Sequence, residues 1–152
     1  AAMLRAMNDK ARQLRMLNTH YADPAGLNND SVSTARDLAT LVNAAIKYPL
    51  IHEFTTTGEF TVTDRRRNRP IEFVNTNRLV RSSAWDINLS KTGYTDDAGN
   101  CLVMQAVIGH RPVIIVLLNS WGKLSNYGDS QRIREWLLRN ERRAIQLADA
   151  PT

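Results

Sequence analysis

Apolar positions near the start of the chain recur at helical spacing. Leu4, Met7, Ala11 and Leu14 fall on one face, which predicts a helix over residues 2–16. Residues 17–30 are rich in Asn, Asp, Pro and Gly and read as loop. A turn is expected at Asp23-Pro24-Ala25-Gly26-Leu27, because Pro fixes φ and Gly admits positive φ. The helical period returns with Leu38, Leu41, Val42, Ala45 and Ile46, behind an N-cap at Ser33 or Thr34. Asp37 then lies in the first turn, where a carboxylate favours the helix dipole. Pro49 is expected to stop this helix near Lys47 or Tyr48.

The period then changes. Glu59–Asp64 and Pro70–Val74 predict a hairpin around an arginine-rich tip, and 75–84 is polar and irregular. Trp85–Thr92 reads as a strand and Tyr94–Asn100 as a loop. Cys101–Ile108 and Val113–Leu118 are apolar at successive positions, which implies burial on both faces. Their connection, Gly109-His110-Arg111-Pro112, is short enough only for an antiparallel pair. A last helix is expected from Tyr127 to Leu147, with Ile133, Trp136 and Leu137 facing inward. The pattern gives an α+β fold, an antiparallel sheet with helices on both faces, in one domain over residues 1–152.

Composition adds little to this picture. The 152 residues are 43% hydrophobic and 23% charged, as in an ordinary globular domain. No apolar run approaches the roughly 20 residues that span a bilayer. The opening residues read as helix without an N-cap and carry no secretory leader, so the sequence is expected to be cut from a longer one. The net charge of +5 invites a nucleic-acid reading. The one dense basic run, Arg65-Arg66-Arg67-Asn68-Arg69, falls at the hairpin tip, where solvation explains it, so no nucleic-acid partner is expected. One cysteine excludes an internal disulfide. Cys101 sits in an apolar strand and reads as a buried, inert thiol. His20, His52 and His110 lack metal-ligand spacing, and neither a metal nor a cofactor is expected. Asp96 and Asp97 read as a solvated turn pair, and Trp121 and Trp136 as core or sheet-covering residues.

The candidate chemistry lies in Lys91-Thr92-Gly93, at a strand end. An ammonium attracts an anion, a hydroxyl donates to it, and a glycine leaves room for a ligand backbone beside the strand. Alone, such a triplet is more often a strand end before a turn. Here it has company in a fixed order: Asn18-Thr19-His20-Tyr21, Asp23-Pro24-Ala25-Gly26-Leu27, Ser33-Thr34-Ala35-Arg36-Asp37-Leu38-Ala39, Phe73-Val74-Asn75-Thr76-Asn77, Lys91-Thr92-Gly93-Tyr94-Thr95 and Gly99-Asn100-Cys101-Leu102-Val103. Over residues 2–140 this series resembles the low-molecular-weight penicillin-binding proteins, D-alanyl-D-alanine carboxypeptidases and endopeptidases, and most closely the endopeptidase branch.

The resemblance implies a penicillin-binding protein/β-lactamase-like transpeptidase fold and serine acyl transfer on peptidoglycan peptides in the periplasm. It makes Lys91, Thr92 and Tyr94 catalytic candidates, and Lys91, Thr92, Gly93 and Thr95 substrate-binding ones. Lys91 and Thr92 would hold substrate polar groups or the carboxylate of a β-lactam. Gly93 would give clearance, and the Tyr94 backbone N–H half of an oxyanion hole. The sequence departs from the family in carrying neither Ser-x-x-Lys nor Ser-x-Asn before Lys91. The formal match Ser120-Trp121-Gly122-Lys123 comes too late and holds a glycine inside what should be a helical turn. The chain alone is therefore expected to be inactive. It is expected to be the C-terminal part of an incomplete domain, partnered by the missing N-terminal portion or by a swapped copy. Such a partner would cover Val113–Leu118, otherwise an exposed apolar edge. Non-catalytic binding of cell-wall peptides and a β-lactamase relative are the alternatives. Arg15 stands at a helix end where relatives usually have Gly, and a non-Gly residue there would be strained if φ were positive.

Overall fold

In the computed structural model, which describes residues 2–148, four helices surround a three-stranded antiparallel sheet and a separate hairpin. The first helix, α1, runs Ala2–Gln13. It ends at Arg15, whose φ is 60°. The Arg15 N–H donates to the Arg12 carbonyl at 2.9 Å and the Met16 N–H to the Ala11 carbonyl at 2.9 Å. Those two bonds satisfy carbonyls that the last turn leaves open, with a side chain where glycine is favoured. Helix α2, Ala35–Ala45, is capped by Thr34, whose hydroxyl accepts from the Asp37 N–H at 3.2 Å.

Pro49 does stop α2, but it also starts a helix that the polarity pattern did not reveal. This α3 spans Pro49–Thr56 with the proline in its first turn, where a missing N–H costs nothing. Strands β1 (Glu59–Asp64) and β2 (Arg69–Val74) form the expected hairpin. Asn75–Ala84 contains a short 3-10 turn, Arg78–Arg81.

Strands β3 (Asp86–Thr95), β4 (Gly99–Ile108) and β5 (Arg111–Ser120) pair in that order, leaving β3 and β5 as edges. The loop expected over residues 94–100 shrinks to a turn at 96–98, because Tyr94 pairs with Asn100 and Thr95 with Gly99. Backbone pairing is indifferent to side-chain polarity, so polar residues hid the ends of both strands. Leu102, Met104 and Ala106 are completely buried, with Ile87, Ile108 and Ile115 beside them. Burying each larger one contributes roughly 1.5–3 kcal/mol.

Helix α4, Ser125–Ala148, lays Ile133, Leu137 and Leu138 on this cluster. Helix α2 packs against β4 and β5, and α3 against β3. The α+β class with helices on both faces is therefore as expected. Three side chains are not. Trp136 is 57% exposed rather than inward, and Trp121 is 94% exposed rather than covering the sheet. Cys101 is only partly buried. Strand β5 is not buried on both faces either: Ile115 is buried, its neighbours are half-buried and Leu118 is exposed. An edge strand has cover on fewer sides than the central β4.

Candidate active site

The candidate residues occupy the last half of β3, an edge strand, so one side of its backbone is open to a ligand chain. Strand alternation sends Lys91, Gly93 and Thr95 to one face and Thr92 and Tyr94 to the other. On the first face, residues 25–32 and the β3–β4 turn close a cavity of about 570 Å³. Lys91, Gly93 and Thr95 line it from that face, and Tyr94, between the last two, borders it as well. A Cβ placed on Gly93 would meet nothing within 4 Å, so the space beside this strand is open. Lys91 is exposed, and its ammonium donates to the Thr92 carbonyl rather than to a carboxylate among the described residues.

Thr92 does not line that cavity. Its hydroxyl shares a hydrogen bond with the Thr76 hydroxyl at 2.6 Å. The Thr76 carbonyl in turn accepts from the Tyr127 hydroxyl of α4 at 2.8 Å. Next door, the fully buried Asn77 donates to Ser90 Oγ at 2.8 Å and accepts from the Leu79 N–H at 3.1 Å. Thr76 and Asn77 thus fix the back of β3. Their sequence signal was only a polar run before a strand, and the contacts depend on residues 13 to 51 positions away. On the other side, the His52 ring bonds the Asn88 carbonyl at 2.8 Å and ties α3 to β3.

The wall opposite Lys91 is held by a single carboxylate. Asp23 accepts from the backbone N–H groups of Ala25, Gly26, Leu27 and Asn28 at 3.1–3.3 Å and from the Ser31 hydroxyl. The Leu27 N–H bond is the largest cause holding its carboxyl below the usual range. Asn29 reaches across to Asp97 and closes the cavity's rim. Behind the loop, buried Asp37 accepts from the Asn18 N–H and the Thr19 hydroxyl, both at 2.8 Å. The Tyr94 hydroxyl donates to Asp96 at 2.8 Å, which raises its pKa.

The late serine–lysine match has no helical geometry. Ser120 ends β5, Gly122 has φ 82°, and α4 begins only at Ser125.

The family described as D-alanyl-D-alanine carboxypeptidase matches residues 1–122. The chain belongs to that family. Among its relatives, a D-alanyl-D-alanine endopeptidase of Pseudomonas aeruginosa is 45% identical over 97% of this chain and 47% of its own length. One from Escherichia coli is 44% identical over 90% of this chain and 44% of its own length. The chain thus spans under half the length of these relatives. A Streptomyces DD-transpeptidase structure superposes with a TM-score of 0.78 at 28% identity, over 88% of this chain and 52% of that one. A Listeria monocytogenes penicillin-binding protein with cefotaxime bound superposes with a TM-score of 0.73 at 30% identity, over 87% and 53%. These are serine D,D-peptidases and their penicillin-binding kin, and the fold expected from the sequence is theirs.

Proposed function

We propose that this chain supplies the substrate-recognition strand of a periplasmic serine D,D-endopeptidase or carboxypeptidase acting on peptidoglycan peptides. The observation that carries the reading is the open edge of β3, with Lys91, Gly93 and Thr95 facing a cavity of about 570 Å³. A peptide laid along that edge gains main-chain hydrogen bonds. The Lys91 ammonium and Thr92 hydroxyl would take its carboxylate, or that of a β-lactam, through charge-assisted bonds. For this Thr92 turns from Thr76 or shares its hydroxyl with it. The Tyr94 N–H would form half of the oxyanion hole, a donor of a kind whose loss costs about 3 kcal/mol of transition-state stabilisation.

The matched relatives are about twice as long, and we assign the Ser-x-x-Lys nucleophile and Ser-x-Asn to the part of the domain that these 152 residues do not contain. The chain is then the C-terminal portion of one catalytic domain, inactive alone, and the β5 edge receives a strand from the remainder. A second reading is a module that binds cell-wall peptides along the open β3 edge without cleaving them. Labelled penicillin separates the two. The complete gene product that contains this chain becomes covalently labelled under the peptidase reading. Saturable binding without acylation, lost in Lys91→Ala, supports the second.

A further inference from the structure

A second cavity, of about 730 Å³, opens where the ends of β3, β4 and β5 meet. Its lining includes Tyr94, Asn100, Asn119, Trp121 and Lys123. Tyr94 also lines the peptide cavity, so the two spaces share a wall. Trp121 is 94% exposed, more than any other large apolar side chain described. It is held out on a defined turn. Asn119 has φ 51° and Gly122 φ 82°, and the Ser125 hydroxyl donates to the Trp121 carbonyl. The β3–β4 turn reaches this site only because residue 99 is glycine: its φ is 64°, and a Cβ there would sit 2.6 Å from Asn119 Oδ1. The Asp96 bond holds the Tyr94 ring, and the Asn100 amide is anchored on the Ser120 carbonyl at 3.3 Å.

An indole and a phenol ring beside two carboxamides and an ammonium form an unusual set for a surface that merely contacts water. A hexose ring presents an apolar face of C–H groups, which stacks on an aromatic plane. Its rim of hydroxyl and acetamido groups pairs with side-chain amides, which both donate and accept. We propose that this cavity binds an amino-sugar ring of the glycan strand from which the peptide substrate hangs. The inference rests on the peptidase reading above, since the shared Tyr94 wall lets one ligand run from the peptide cavity into the sugar cavity.

The test uses the complete gene product containing this chain. The N-acetylglucosamine trimer is expected to shift the Trp121 indole N–H signal in NMR. Trp121→Ala is expected to reduce the preference, in kcat/KM, for disaccharide-linked over glycan-free cross-linked peptides by about tenfold, the size of one aromatic stacking contact. Trp121→Phe should restore part of it. An indole signal unmoved by the trimer, or the same preference in Trp121→Ala as in wild type, overturns the proposal. Should neither peptide be cleaved, the peptidase reading fails, and the trimer titration still decides the sugar cavity.

Discussion

The three-stranded sheet and the β1–β2 hairpin share one kind of backbone pairing and differ in what they bury. In the sheet, Leu102, Met104 and Ala106 have no exposed surface. In the hairpin, Phe60 faces Phe73 and Val62 faces Ile71, which puts all four on one face, yet Phe60 and Phe73 remain 61% and 57% exposed. A two-stranded ribbon without a second layer gains little from its apolar face. The sheet therefore carries the stability, and the candidate site sits on the sheet. The two regions are joined by Asn75, whose N–H donates to the Gly58 carbonyl at 2.8 Å, and by the Thr76 and Asn77 contacts behind β3. A ligand-holding strand needs that support, because side chains displaced by even an ångström lose their geometry.

Substitutions can break this contrast. Met104→Ala should cost about 3 kcal/mol in urea unfolding, by lost burial and a residual cavity. A cost below that of Phe60→Ser would reverse the account of which region carries stability. Lys91→Ala should slow penicillin acylation of the complete gene product about thirtyfold, equivalent to about 2 kcal/mol, while unfolding stays near wild type. Arg15→Gly should stabilise the fold by about 1 kcal/mol, since glycine adopts the left-handed conformation without a Cβ clash. Phe60→Ser in the hairpin should change stability by under about 0.5 kcal/mol.

The smallest effect concerns pH. Asp23 has a depressed folded-state pKa, so its contribution to the loop is present above the unfolded value and is lost as pH falls through the folded one. The Leu27 and Asn28 amide signals should therefore titrate below the range of an ordinary aspartate. A midpoint within that range would mean that the Asp23 bonds do not hold the cavity wall.

What could be read from the sequence follows the same division. The continuous apolar run of β4 and the helical spacing in α2 report burial directly, so the sheet, the hairpin and their order were legible. Pro49 was not, because the residue that ends one helix is equally suited to begin the next. Trp121 and Trp136 carry the hydrophobicity of core residues and lie outside, and composition has no term for which side of a turn an indole takes. The Lys91-Thr92-Gly93 triplet was visible as chemistry. Its supports, Thr76, Asn77 and Tyr127, depend on contacts across the fold, and a single chain of letters does not display those.

The central claim is that β3 holds the anionic end of a D-amino-acid peptide at Lys91 and Thr92. A crystal structure of the complete gene product acylated by cefotaxime tests it most directly. The account predicts the cephalosporin carboxylate within about 2.7–3.2 Å of Thr92 Oγ1 or Lys91 Nζ, with the acyl oxygen on the Tyr94 N–H. A carboxylate bound elsewhere, with β3 untouched by the ligand, would contradict it.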